Sequence, residues 1–194
     1  GGLRPRGGFH RLQPGPRRMS RIFALVGPSG VGKDTLLARV APGLPGLHVV
    51  RRVVTRAPEA GGEDHEAVTP AEFEDQRRAG RFALHWQAHG LHYGIPQAEL
   101  TRAPVTVFNG SRKHLAAAAA AIPGLEVIHV TATRAALAAR LAARGRETAA
   151  DIAARLDRAA EPLPPGLCLH VIDNSGDLDT AAAALRALLQ PVRA

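Results

Sequence analysis

The sequence predicts an α/β domain in which a parallel sheet is covered by helices on both faces, and three observations carry that prediction. Short apolar runs alternate with helix-compatible segments along most of the 194 residues. A glycine-rich turn, 27-GPSGVGKDTLL-37, follows the first of those runs and opens a helix. The length suits about one domain with a sizeable core.

Residues 1–18, GGLRPRGGFHRLQPGPRR, are rich in Gly, Pro and Arg without apolar periodicity, and are expected to form a disordered basic tail ahead of Met19. The tail holds five arginines and no acid, so removing it takes the formal charge from +8 to +3. A basic arm for nucleic acid is the alternative for this segment. The folded domain is placed at 19–194. Arg21–Val26 reads as the first strand, and a helix begins at Lys33 with Leu36, Leu37 and Val40 on one side. Further strands are expected at Val49–Val54, Val105–Phe108, Val127–Thr131 and Leu169–Ile172. Thr69-Pro70-Ala71-Glu72 combines a cap residue, a proline at the first helical position and a glutamate that reaches back to the cap amide, so a helix should run from there to Gly80. Thr133 caps a helix carrying Leu137 and Leu141, which Gly145 stops. The alanine-rich stretch at 115–122 is helix filler. The region from about 52 to 95 breaks the rhythm with Gly61-Gly62, a helix and a hairpin, as an inserted binding part would.

Ile22–Val26 is too short for a secretory signal, and the longest apolar stretch, Leu115–Ile122, cannot span a bilayer. The lone Cys168 allows no internal disulfide. A cytoplasmic protein with no membrane or nucleic-acid partner is the expectation.

Residues Gly27, Pro28, Ser29, Gly30, Val31, Gly32 and Lys33 fit the phosphate-binding pattern G-x-x-x-x-G-K-[ST], in which backbone amides at a helix N-terminus converge on phosphates. Of 25 basic residues only Lys33 and Lys113 are lysines, so a chain that otherwise uses arginine has lysine where the loop requires it. A merely structural glycine turn is the alternative. Asp34 departs from the pattern, standing where a hydroxyl normally meets Mg²⁺. Two accounts of it stand: an acid favoured by the helix dipole, or an oxygen ligand for Mg²⁺ with Thr35 still offering its hydroxyl to a phosphate.

Taken with the loop, VVTRAPEAGGEDHEAVTPAEF, RFALHWQAHGLHYG and RLAARGRETAADIAARLDRA resemble the guanylate kinase fold in the right order over nearly all of residues 21–190. The fold expected is therefore a P-loop NTPase of guanylate kinase-like type, with an inserted acceptor-binding region and a lid at about 134–150. Against the guanylate kinase pattern, Arg52 replaces a serine, Glu59 lies near a missing arginine, His65 replaces a tyrosine, Gln87 a base-reading glutamate, Ile95 a hydroxyl residue, and no aspartate stands near Gly110, whereas Arg56 and Tyr93 persist. The departures are those of the ribose 1,5-bisphosphate phosphokinase branch: Gly32-Lys33-Asp34, Thr55-Arg56, Asp64-His65, His85-Trp86, His89-Gly90-Leu91 with Tyr93-Gly94, and Asn109 to Arg112. That resemblance implies transfer of the ATP γ-phosphoryl to ribose 1,5-bisphosphate, giving 5-phosphoribosyl 1-diphosphate, a step in phosphonate breakdown, with Mg²⁺ as cofactor.

It also implies roles. Lys33, Arg140, Arg144, Arg146 and Arg155 would act on the transferring phosphoryl, the middle three from the lid. Residues 27–35 and Asn174 would hold ATP, with adenine near Asn174. Arg52, Arg56, His65, Gln87, His89, Tyr93, Asn109, Ser111 and Arg112 would hold the acceptor, and Asp34 the metal. An acceptor with two phosphates and no base favours arginine forks such as Arg52, Arg56 and Arg112. The lid arginines also suit a solvated helix face. His85, His89 and His92 have helical metal-ligand spacing, but the resemblance spreads them over a strand and a turn, which argues against a zinc site. A nucleoside monophosphate kinase and a non-catalytic guanylate-kinase-like binding module are the rival functions, the first opposed by Gln87 and Ile95 and the second by Lys33. Oligomeric state is not legible.

Overall fold

The computed structural model describes residues 20–57, 64–145 and 148–191. The basic tail, Gly61-Gly62 and Arg146 lie outside the described residues. Strand β1 (Arg21–Val26) is the centre of a five-stranded parallel sheet, flanked on one side by β7 (Val105–Asn109) and then β2 (Leu47–Val49), and on the other by β8 (Glu126–Thr131) and then β9 (Cys168–Asp173). Its alternating side chains supply two cores, as a strand buried on both faces must. Phe23 and Leu25 face α1 (Lys33–Val40) and α6 (Leu178–Leu189), packing with Leu36, Leu37, Val40, Leu185 and Leu189. Ala24 and Val26 face the other way, with Phe108 and with Leu115 and Ala118 of α3 (Leu115–Ala121).

The stretch expected as one strand at Val49–Val54 is two. The amide of Val50 still donates to the carbonyl of Val107 at 2.9 Å. From β3 (Arg52–Val54) onward the chain pairs instead with β4 (His65–Ala67) and β6 (Leu91–Pro96), in a second sheet completed by β5 (Phe82–Ala88). A run reading VVRRVV carries no mark of where one sheet hands over to another, so apolar pattern alone merges them. This second sheet occupies the expected insertion. Trp86 and Ile95 of its hairpin join the core beneath β1, which fixes the inserted part against the main sheet. The hairpin turns through His89 and Gly90, both at positive φ of 52° and 75°, the backbone a two-residue turn of right-handed twist requires.

Helix starts follow the expected signals. Thr69 and Glu72 form a reciprocal capping box at the start of α2 (Pro70–Arg78), and the Thr133 side chain accepts from the Ala136 amide at the start of α4 (Arg134–Ala143). Gly145, at φ 62°, follows α4 as expected. Thr148 opens α5 (Ala149–Ala159), which packs on α4 through Leu137, Leu141 and Leu156. None of the described helices is long and apolar enough to cross a membrane.

At the far edge of the sheet, Arg21 holds both oxygens of Glu126 at 2.8 Å, and His170 Nε2 lies 2.8 Å from Oε2, tying β1, β8 and β9 together. Cys168 completes a cluster of ligand-type atoms within 4.8 Å, but the carboxylate there is already held by the guanidinium. The Arg21 hydrogen bonds hold the Glu126 carboxyl below its ordinary value of 4.5, outweighing the opposing effect of burial. A carboxyl depressed by folding contributes stability that is present above its ordinary pKa and is lost as pH falls through its folded value. Urea unfolding between roughly pH 3 and 7 should therefore show wild type losing stability below about pH 5 more steeply than Glu126→Gln, with the two profiles parallel above it.

Candidate active site

In a parallel sheet all strands end at one edge, and here those ends carry the functional side chains. The loop after β1 enters α1 through Gly32, whose left-handed backbone (φ 95°) carries no side-chain cap. A Cβ there would stand 2.7 Å from Asn174 Nδ2, and one at Gly30 would stand 2.9 Å from Leu141 Cδ2, so the loop is closely backed by its neighbours. Its carbonyls are tied back. Asn174 Nδ2 donates to the Val31 carbonyl at 2.7 Å, and Arg140 bridges Val31 and Asn174 by donating to both carbonyls, at 3.3 and 2.7 Å. Lys33 Nζ donates to the carbonyls of Gly27 at 2.9 Å and Pro28 at 3.3 Å. Arg155, from α5, donates to Ser29 Oγ at 2.8 Å. The loop thus presents the uncapped start of α1, a ready site for anions.

Asp34 and Thr35 occupy the first turn of α1 and are exposed. One Asp34 oxygen accepts from Asn109 Nδ2 at 2.9 Å, which joins the first turn of α1 to the end of β7.

A single cleft of about 1220 Å³ runs from this loop to the second sheet. Lys33, Arg52, Arg112, Lys113, Arg155 and Arg158 line it against two acids, Asp34 and Glu161. Of the expected acceptor residues, Arg52, Gln87, His89, Tyr93, Asn109, Ser111 and Arg112 line the cleft. Arg52 lies over the rings of Trp86 and Tyr93, at 5.9 and 5.1 Å, and those rings are stacked 5.4 Å apart across the hairpin. A guanidinium on aromatic faces loses little further freedom when it grips an anion. Arg112 instead donates to the carbonyls of Ala159 and Arg158, at 2.9 and 2.7 Å, where a cation suits the end of α5. Burial lowers its pKa without discharging it.

Arg56 and His65 lie off the cleft lining. His65 is 7% exposed, with Nε2 3.2 Å from the Arg56 carbonyl, so it braces the chain beside Arg56. Asn174, expected near adenine, is 2% exposed beneath the loop. Arg144 is exposed at the end of α4, outside the lining, and Arg140 faces the loop. His85 and His92 sit on β5 and β6 and His89 in the turn, so the three do not share a helix face. Ile95 is fully buried in the core. His129, in β8 beside the end of β1, is held below its ordinary value first by burial and then by the charges of Arg112 and Lys33.

Trp86, His114, Arg158, Glu161 and the 162–164 stretch line the cleft without having been singled out as site residues. Trp86 stood in a matching motif. The segment after α5 carried no local signal, because only tertiary packing brings it beside the loop.

No family model matches the sequence. The chain is 50% identical over 89% of its length to a protein of Ruegeria sp. (strain TM1040) named ribose 1,5-bisphosphate phosphokinase PhnN, covering 93% of that protein. It is 43% identical to the protein of that name from Agrobacterium fabrum, covering 87% of this chain and 96% of that one. It also matches, at 44% identity, 28% of a bifunctional ribose 1,5-bisphosphokinase-thymidine phosphorylase of Cupriavidus necator, over 84% of this chain. Among solved structures, guanylate kinase from Anaplasma phagocytophilum superposes with a TM-score of 0.65 at 19% identity, over 88% of this chain and 84% of that one, a likeness of fold alone. The phosphate loop, the arginine-lined cleft and the extent of these matches agree: the chain belongs to the ribose 1,5-bisphosphate phosphokinase family.

Proposed function

We propose that the protein transfers the γ-phosphoryl group of ATP to the 1-phosphate of ribose 1,5-bisphosphate, the phosphokinase activity for which its relatives are named, giving 5-phosphoribosyl 1-diphosphate and ADP as a step of phosphonate catabolism. The observation that carries it is the continuity of one cationic cleft from Lys33 and Asp34 to Arg52, Tyr93 and Ser111. An oxygen of the 1-phosphate attacks Pγ, and the bond from Pγ to the β,γ-bridging oxygen breaks to release ADP. The attacking oxygen is already ionised near neutral pH, so the step needs positioning and charge neutralisation more than a strong base.

On this reading the loop amides and Lys33 hold the ATP phosphates, with Arg140 setting the loop and Arg144, Arg146 and Arg155 closing on the transferring group. Arg52, Arg112 and Ser111 face the acceptor, with Gln87, His89 and Tyr93 along the wall and Arg56 and His65 behind it. Adenine would lie on the Asn174 side of the loop. The donors beside the loop, the Asp34 carboxylate and the Thr35 hydroxyl, are hard oxygens that suit Mg²⁺. When bound, Mg²⁺ would neutralise charge on the β- and γ-phosphates. The cytoplasm, a compartment in which the lone Cys168 stays reduced, belongs to the same proposal.

Incubation with ATP, Mg²⁺ and either ribose 1,5-bisphosphate or GMP tests the acceptor directly. 5-Phosphoribosyl 1-diphosphate should form, with GMP at least about a hundredfold less efficient, since a site lacking partners for a base rejects it. Efficient phosphorylation of GMP would sink the assignment. Lys33→Ala should lower kcat/KM by at least about a hundredfold without moving the melting temperature much, because its ammonium serves phosphates and not the core. Asp34→Asn should raise the Mg²⁺ concentration for half-maximal turnover by roughly tenfold or more. An unchanged Mg²⁺ titration would leave Asp34 as a residue of the helix start and nothing else.

A further inference from the structure

Asn109 ends β7 inside the cleft and is held from two sides. Its side-chain nitrogen donates to Asp34 Oδ1 at 2.9 Å, and its main-chain carbonyl accepts from Arg52 Nη1 at 3.1 Å. A carboxylate oxygen accepts and does not donate, so the carboxamide must turn its nitrogen toward Asp34 and cannot flip. The side-chain oxygen therefore points away from Asp34. That oxygen is buried and has no hydrogen-bond partner, while the residue is 8% exposed and lines the cleft. A buried acceptor left empty is unfavourable, and at a binding site it marks where a ligand donor belongs.

Few groups of the two substrates qualify. Phosphate oxygens are acceptors and would repel it. Asp34, which would hold a metal, is on the side its nitrogen faces, so waters of that metal would be on that side too. The adenine amine is assigned to the Asn174 side of the loop, so what remains are sugar hydroxyls. The attacking 1-phosphate must lie beside the loop, next to Asp34, and the carbon adjacent to the one that bears this phosphate carries the 2-hydroxyl. Arg52, bonded to the same residue, stands on the acceptor side. We infer that Asn109 Oδ1 accepts a hydrogen bond from the 2-hydroxyl of the acceptor, which makes Asn109 the residue that selects ribose over 2-deoxyribose bisphosphate. The inference rests on the acceptor proposed above and adds a specificity to it. Asn109 also positions Asp34, but that contact serves every acceptor equally and confers no sugar preference.

The test compares kcat/KM for ribose 1,5-bisphosphate and 2-deoxyribose 1,5-bisphosphate in wild type, Asn109→Ala and Asn109→Asp. Wild type should favour the ribose acceptor by on the order of tenfold to a hundredfold, the range for one buried acceptor left unpaired. Asn109→Ala should lose activity with both acceptors, having released Asp34, and its preference should collapse toward unity. Asn109→Asp keeps an acceptor oxygen in place and should keep the preference even where its rate falls, which also covers the case of an alanine variant that does not fold. Equal use of both acceptors by wild type, or an undiminished preference in folded Asn109→Ala, overturns the inference while leaving the acceptor assignment standing. Failure of wild type to phosphorylate either sugar overturns the acceptor assignment and the inference together.

Discussion

The carbonyl of Val31 is where the site is anchored. Asn174 from the end of β9 and Arg140 from α4 both donate to it, so the loop after β1 is pulled back at its middle. Gly32 can enter α1 only through a left-handed backbone, and Asn174 stands where a side chain at that position would need to be. The uncapped start of α1 then faces the cleft with its orphan amides as an anion site. This geometry depends on strand order. With β8 and β9 parallel to β1, their carboxyl ends bring Thr131, Asn174 and the α4 segment to the loop, and the Asn174 amide donates to the Thr131 carbonyl at 2.8 Å to lock the two ends together. An antiparallel neighbour would have sent its end to the opposite edge.

A cleft crowded with cations would repel itself unless each charge had a local partner. Lys33 donates to loop carbonyls, Arg155 to Ser29, Arg112 to the last carbonyls of α5, and Arg52 lies on two stacked rings beside the Asn109 carbonyl. These contacts fix where each cation stands before any phosphate arrives, and positioning of charge ahead of the reaction is the condition for electrostatic catalysis by preorganisation.

Much of this was legible in the sequence, because the signals concerned are local. Strand β1 has the bounds its apolar run predicts, and Thr69, Thr133 and Gly145 act as written, since capping and positive φ depend on a few neighbouring residues. The phosphate loop announces itself for the same reason. What the chain does across long separations was not legible. The handover between β2 and β3, the order β2-β7-β1-β8-β9, and the arrival of the 158–164 segment beside the loop are decided by packing between distant elements. The burial of His65 to 7% exposure and its contact with the Arg56 carbonyl likewise depend on packing that no local signal in the sequence announces.

Two positions show how distant parts of the chain are made to meet. Asp34 in the first turn of α1 and Asn109 at the end of β7 are joined by one hydrogen bond, so the carboxylate beside the loop is held from the neighbouring strand. Ile95 has the opposite character. Its side chain is fully buried with Trp86 and Phe108 in the core that holds the second sheet to the first. A polar group left unpaired at that point would cost about 1 to 3 kcal/mol. An isoleucine avoids that penalty and contributes apolar burial to the joint between the sheets. The burial of Ile95 and the seating of the hairpin wall that carries Tyr93 are therefore one physical event.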